Sequence, residues 1–269
     1  MKRFIPVLLL FFSGYGFAQT KETRNVETFT KLSFRVPGKL ILKQGSPQSV
    51  VLEGDKEFLD KIETEVDGGR LSIGHPERWN WRNWRDNNKL TAYVTVKDIN
   101  AISVSGSGDL ITEGKILASD MDLKVSGSGS LTIDLDVKGE LNADVSGSGE
   151  IIAKGACKEF ESNVSGSGKV SLTSSISGKA DVSVSGSGTV SMSGNATAIK
   201  THISGSGKVL AADLEVVTCE VHISGSGDVE INVKDALDAN ISGSGTVTYK
   251  GNPGHVNSHS SGSGKVRKM

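Results

Sequence analysis

Three groups of side chains in this sequence have the types and spacing to support chemistry. The first is Trp79, Trp81 and Trp84, the only tryptophans in the chain, interleaved with Arg78, Arg82 and Arg85. Exposed indole faces stack on sugar rings, and Trp beside Arg is a typical binding hot spot. The alternative reading is a lid, with these rings folded back over an apolar wall and the guanidinium groups stacked on them. The second group is His202, His222 and Glu220. Both histidines stand two residues before a copy of the tetrapeptide Ser-Gly-Ser-Gly, and Glu220 stands two before His222. Imidazole and carboxylate at one strand spacing, ~5 Å, could hold a transition metal. A solvent-facing polar ladder is the alternative, and Asn240 interrupts the column before His259. The third group is the array of serines itself. A nucleophilic serine needs its own base, and nine copies cannot each own a histidine. Hydroxyl arrays on flat sheets also suit ice binding, but here the serines are welded to glycines.

The elements that must position these groups follow from the repeat. Ser-Gly-Ser-Gly begins at Ser105, Ser126, Ser146, Ser165, Ser185, Ser204, Ser224, Ser242 and Ser261, at intervals of 21, 20, 19, 20, 19, 20, 18 and 19 residues. The residue before each copy is Val104, Val125, Val145, Val164, Val184, Ile203, Ile223 and Ile241, with Ser260 ending the column. Two residues beyond each copy stand Leu, Ile or Val, from Leu110 to Val266. Apolar residues spaced by two mark strands, and β-branched residues suit a pleated, half-buried surface. A unit this short buries its apolar edge only by stacking on the next. The expected fold is therefore all-β, a parallel β-helix or β-solenoid of about 20 residues per coil. Parallel crossovers favour the right hand. The glycines, from Gly106, Gly108, Gly127 and Gly129 onward, form a shared corner. They allow positive φ or a close approach of backbone to the interior.

The register makes further predictions. The residue after each copy is Asp109, Ser130, Glu150, Lys169, Thr189, Lys208, Asp228, Thr246 and Lys265. No like charges adjoin in that column. Four residues before the copies, Glu161 falls beside Asp181 and Glu220 beside Asp238, and these like pairs need solvent or a shared counterion. Cys157 and Cys219 fall three rungs apart, ~14 Å, beyond the ~7 Å reach of a disulfide. Both should be free, buried thiols.

Residues 1–19 read as a signal peptide. Lys2 and Arg3 precede an apolar run from Phe4 to Phe12, and Phe17-Ala18-Gln19 follows. The run is too short to span a bilayer, and no later stretch is apolar enough to do so. The expected location is outside the cytoplasm: periplasm, outer-membrane surface or extracellular space. Without Lys2 and Arg3 the formal charge goes from −1 to −3, which argues against a nucleic-acid partner. Residues 20–100 lack the repeat yet read as strands. They form a β cap or degenerate early coils, with one short helix over Asp55–Ile62 capped by Asp55. Residues 101–269 are the repeat solenoid.

Phe29-Thr30-Lys31-Leu32 through Gly45, Val50 to Gly54, Leu71-Ser72-Ile73 and the switch at Ile102-Ser103-Val104-Ser105-Gly106-Ser107-Gly108-Asp109-Leu110 together resemble the "putative autotransporter adhesin, head GIN domain" family of exported bacterial proteins. The resemblance covers nearly the whole mature chain. It implies a β-helix-like fold, a cell-envelope setting and an adhesin-like role, and it supplies no catalytic residues. The expected function is a non-enzymatic binding or assembly module whose partner is a glycan or an envelope or surface protein, with no cofactor. A polysaccharide-acting enzyme and a purely structural spacer are the rival classes. Such enzymes need acids and bases clustered in a groove, and the acids here are scattered over the rungs.

Overall fold

The computed structural model describes residues 20–75 and 90–269. The signal-peptide reading of residues 1–19 and the Trp/Arg group at positions 78–85 lie outside these residues. The chain winds into a β-solenoid of about eight turns with roughly 20 residues per coil. Each coil has one strand segment before the Ser-Gly-Ser-Gly corner and one after it. Before the corner run β8 (Ala101–Gly106), β10 (Met121–Gly127), β12 (Glu140–Gly147), β14 (Glu159–Gly166) and β16 (Lys179–Gly186). After it run β9 (Asp109–Ala118), β11 (Ser130–Val137), β13 (Glu150–Cys157) and β15 (Lys169–Ile176). Three longer strands, β17 (Thr189–Gly205), β18 (Lys208–Gly225) and β19 (Asp228–Gly243), continue from one corner to the next. The last coil is β20 (Thr246–Lys250), β21 (His255–Gly262) and β22 (Lys265–Lys268).

All pairings between successive coils are parallel and superimpose the repeat on itself. Val125 lies between Val104 and Val145, and Val145 pairs with Val164. Val184, Ile203, Ile223 and Ile241 continue the column, each at most 2% exposed. Each such side chain taken from water stabilises the stack by roughly 1.5–3 kcal/mol. The column past the corner, Leu110 through Val247, is equally buried. The segment before the corner keeps strict register throughout. The variation in coil length is absorbed after the corner, where the ladder shifts near Thr132, Ser191, Ala211 and Val216. β-Bulges of this kind add residues without disturbing the neighbouring column.

The two motif glycines do different work. The first, at Gly127, Gly147, Gly166 and onward, has φ between +111° and +132°. The second lacks a positive φ, but a Cβ there would enter the interior: at Gly188 it would stand 2.4 Å from Val164 Cγ1. Both glycine carbonyls accept from the next coil, as in Ser148 N–H to Gly127 O at 2.9 Å and Glu150 N–H to Gly129 O at 3.1 Å. The corner is thereby a continuous hydrogen-bonded ladder.

The N-terminal region adds two rungs and a cover. β2 (Lys31–Phe34) and β3 (Lys39–Gln44) stack in parallel on β8 and β9. β6 (Arg70–Gly74) and β7 (Thr91–Val96) stack beyond them. Antiparallel strands then close the end: β5 (Glu63–Asp67) on β6, and β4 (Ser49–Gly54) on β7, with β1 (Thr20–Arg24) on β4. The helix is shorter than the sequence implies. α1 spans Lys56–Leu59, with Asp55 accepting from Glu57 N–H at 3.0 Å and Asp60 already at the C-cap. Phe58, Leu59 and Ile62 are buried, but the chain must leave the helix to enter β5 at Glu63.

Candidate functional site

On the outer face before the corner, alternation turns every second residue to solvent. Two outward columns result. One is the first motif serine: Ser165, Ser185, Ser204, Ser224, Ser242 and Ser261. The other stands two residues earlier: Asn163, Ser183, His202, His222, Asn240 and His259. Between them runs an open groove of about 510 Å³ along the solenoid axis, floored by the strand carrying Val164, Val184, Ile203, Ile223 and Ile241. No carboxylate, ammonium or guanidinium lines it.

The side chains along this rail are held from behind. His222 Nε2 lies 2.6 Å from Glu220 Oε1. Asn240 Nδ2 donates to Asp238 Oδ1 at 3.0 Å, and Asn163 Nδ2 donates to Glu161 Oε1 at 3.2 Å. In each case the carboxylate stands two residues earlier on the same strand. A ring or amide fixed at one end presents its other polar atoms in a defined direction. The His222 hydrogen bond, with Lys200 Nζ 3.4 Å away, holds the Glu220 carboxyl below its usual range. Lys200 lies between Asp181 and Glu220 in its column. It is the counterion of Glu220, while Asp238 accepts from Asn240.

His202 and His222 stack one rung apart, ring centroids 4.8 Å and planes 29° apart. The nitrogen of His222 nearest a carboxylate is already engaged with Glu220. Among the described residues no group of three His, Cys, Asp or Glu is gathered as a metal would require. The post-corner column pairs as its charges imply: Lys169 with Glu150 at 3.7 Å, Lys208 with Asp228 at 3.6 Å, and Ser130 Oγ donating to Asp109 Oδ1 at 2.5 Å. Cys157 and Cys219 are both free and buried. Burial pushes the Cys219 thiol up to about 12 and raises Cys157 as well, so neither is a ready nucleophile at neutral pH.

Spacing in the sequence points to Glu220 and His222 but passes over Asn163, Asn240 and their carboxylates. A signal for them exists: Glu161-Ser-Asn163, Glu220-Val-His222 and Asp238-Ala-Asn240 repeat one pattern at one place in the coil. The Trp/Arg group lies outside the described residues, but its attachment points do not. Phe34 pairs with Ile73 and Lys39 with Thr91. Residues 35–38 make the corner in one rung, and in the next rung residues 74–90 occupy the same interval. The segment bearing all three tryptophans is therefore the connection between β6 and β7.

The family model described as "Putative auto-transporter adhesin, head GIN domain" matches residues 28–192 and 177–253. The chain belongs to this family. No curated protein matches it. Among solved structures, a "putative lipid binding protein" from Parabacteroides distasonis has a TM-score of 0.71 at 22% identity, over 93% of this chain and 96% of that one. A "putative adhesin" from Parabacteroides merdae has a TM-score of 0.70 at 20% identity, over 93% and 96%. Another from P. distasonis has a TM-score of 0.64 at 21% identity, over 94% and 97%. At these identities the likeness establishes the shared solenoid fold. No helix among the described residues is long and apolar enough to cross a membrane.

Proposed function

We propose that this protein is a non-catalytic recognition module of the cell envelope or cell surface, exported by residues 1–19, whose stiff solenoid holds its binding residues at fixed spacing. The observation that carries this reading is the interrupted corner. A four-residue turn that repeats almost unchanged along the stack is replaced, in one rung, by a segment containing Trp79, Trp81, Trp84, Arg78, Arg82 and Arg85. The two strands that carry this segment are hydrogen-bonded into the stack, so its ends are held at fixed positions. Trp supplies large, rigid apolar area and Arg planar hydrogen bonding, the pairing enriched at binding hot spots. The family's adhesin description agrees with such a role. Against catalysis stand the buried thiols and the spreading of acids over regular columns rather than in one cleft.

The test is an array of glycans and immobilised envelope fractions probed with the wild type and with the triple variant Trp79→Ala/Trp81→Ala/Trp84→Ala. The wild type should be retained on at least one class, and the variant should lose at least tenfold in affinity, about 1.4 kcal/mol. Equal retention of both proteins overturns the role of the segment. Release of glycan fragments overturns the non-catalytic reading, and no retention on any surface leaves a spacer.

A further inference from the structure

We propose that the axial groove between the serine column and the Asn/His column is a second binding site, for an uncharged linear polysaccharide lying along the solenoid with about one sugar ring per rung. This rests on the reading of the protein as a recognition module but not on the Trp/Arg segment. The strand from which that segment departs, β6, lies five rungs from the Asn163 end of the groove, ~24 Å at one strand spacing per rung.

Three observations carry it. The first is period. Each of the six rungs contributes one residue to each rail at the strand spacing of ~4.8 Å, and adjacent β-1,4-linked pyranoses advance along their chain by nearly the same step. A ligand with that repeat can satisfy every rung in register. A lipid acyl chain has no matching period; among proteins only another stacked β face, such as a second copy of this chain, shares it.

The second is chemistry. The groove presents a mostly apolar surface edged by hydroxyls, carboxamides and imidazoles, the combination that takes a sugar ring's C–H face together with its hydroxyls. With no carboxylate, ammonium or guanidinium in the lining, the groove has no complement for a phosphate or a uronate chain. The charged residues of this face, Asp181, Lys200, Glu220 and Asp238, stand in the next outward column, where Lys200 pairs with Glu220, and Glu220 and Asp238 engage the rail.

The third is preorganisation. Glu161, Glu220 and Asp238 hold Asn163, His222 and Asn240 from behind. Holding side chains in place before binding removes part of the entropic cost of association. Columns that merely keep the face soluble need no such buttress. The groove volume of about 510 Å³ also falls within the usual range for ligand sites, ~300–1,000 Å³.

The probes are soluble β-1,4-glucan and xylan oligosaccharides of increasing length, titrated calorimetrically into the full mature chain, with alginate as the anionic comparison. Affinity for one neutral series should rise with each added sugar, level off once the groove is filled, and resist added salt. His222→Ala combined with Asn240→Ala should weaken the longest oligomer at least tenfold. His222→Asn, which copies the residue found at Asn163 and Asn240, should retain most of the binding. These side chains lie outside the buried columns, so circular dichroism melts should shift only slightly.

Length-independent affinity, an unaltered double variant, or salt-sensitive binding of alginate alone overturns the proposal. So does a concentration-dependent dimer that the double variant abolishes, because a second copy would then fill the groove. The Trp variant separates this proposal from the recognition reading. Binding lost only with the tryptophans removes the groove and leaves recognition to the Trp/Arg segment, whereas binding lost only with His222 and Asn240 removes the role of that segment and leaves recognition to the groove.

Discussion

Thr201 is fully buried in an inward column between Val182 and Val221, and its Oγ1 has no hydrogen-bond partner. In the same column Ser162 is just as buried, but its hydroxyl donates to Ala143 O at 3.0 Å. The two residues should therefore respond to mutation with opposite sign. Thr201→Val removes an unsatisfied hydroxyl at nearly constant shape and should stabilise by about 1 kcal/mol. Ser162→Ala removes a satisfied one and opens a small void, so it should be neutral or destabilising by a similar amount. Urea melts of both variants beside the wild type read the two signs directly, and a destabilised Thr201→Val would contradict the inward placement of that column. Which residues face inward was legible in the sequence, because alternation across a strand admits only two choices. Whether a buried hydroxyl finds a carbonyl was not legible. It depends on a few tenths of an ångström between adjacent coils.

For the corner, the repeat announced shared glycines and left two reasons open, positive φ or close approach. The structure gives the first glycine both reasons, except in the first copy, and the second glycine only the close approach. This division predicts an ordered series. Gly106, in the first motif copy, has φ +86° and open space within 4 Å of where a Cβ would stand, whereas Gly186 has φ +111° and would place a Cβ 2.7 Å from Gly166 O. Gly106→Ala should cost only backbone strain, about 1–3 kcal/mol. Gly186→Ala should cost that and a backbone collision, so its melting temperature should fall further. At Gly188 the nearest obstacle is a side chain, Val164 Cγ1 at 2.4 Å, with Gly168 O next at 2.9 Å. Val164→Ala should thus partly rescue Gly188→Ala, a coupling that a double-mutant cycle detects. Purely additive losses would mean that the second glycine serves something other than interior fit. The same contrast explains the variable intervals between motif copies. They are fixed only in sum by the sequence, and it takes the ladder to show that the extra residues sit after the corner, in bulges or in the connection to the next strand, where they leave the buried column before the corner undisturbed.

At the scale of the whole molecule, a stack of identical coils has two exposed edges, each a template for adding another strand. The N-terminal edge is covered by antiparallel partners, β5 on one side and β4 with β1 on the other. The sequence suggested some cap there but could not show this change of strand direction, because alternation looks the same in parallel and antiparallel strands. The last coil uses composition instead. Ser258 and Ser260 continue the inward columns of Ala239 and Ile241, yet β21 is exposed along its whole length. Hydroxyls where every earlier coil has mostly aliphatic side chains, with Lys265, Arg267 and Lys268 on the adjoining strand, keep the edge wet. Ser258→Val combined with Ser260→Ile would extend the aliphatic columns to the open edge. That variant should form end-to-end oligomers whose mass rises with concentration in light-scattering chromatography, while the wild type at the same concentrations shows no such rise. Adding Lys at Val256, which is 41% exposed on the same strand, should suppress the association by charge repulsion. If the double variant keeps the wild-type mass, backbone exposure rather than side-chain polarity governs this edge, and the serines are incidental to it.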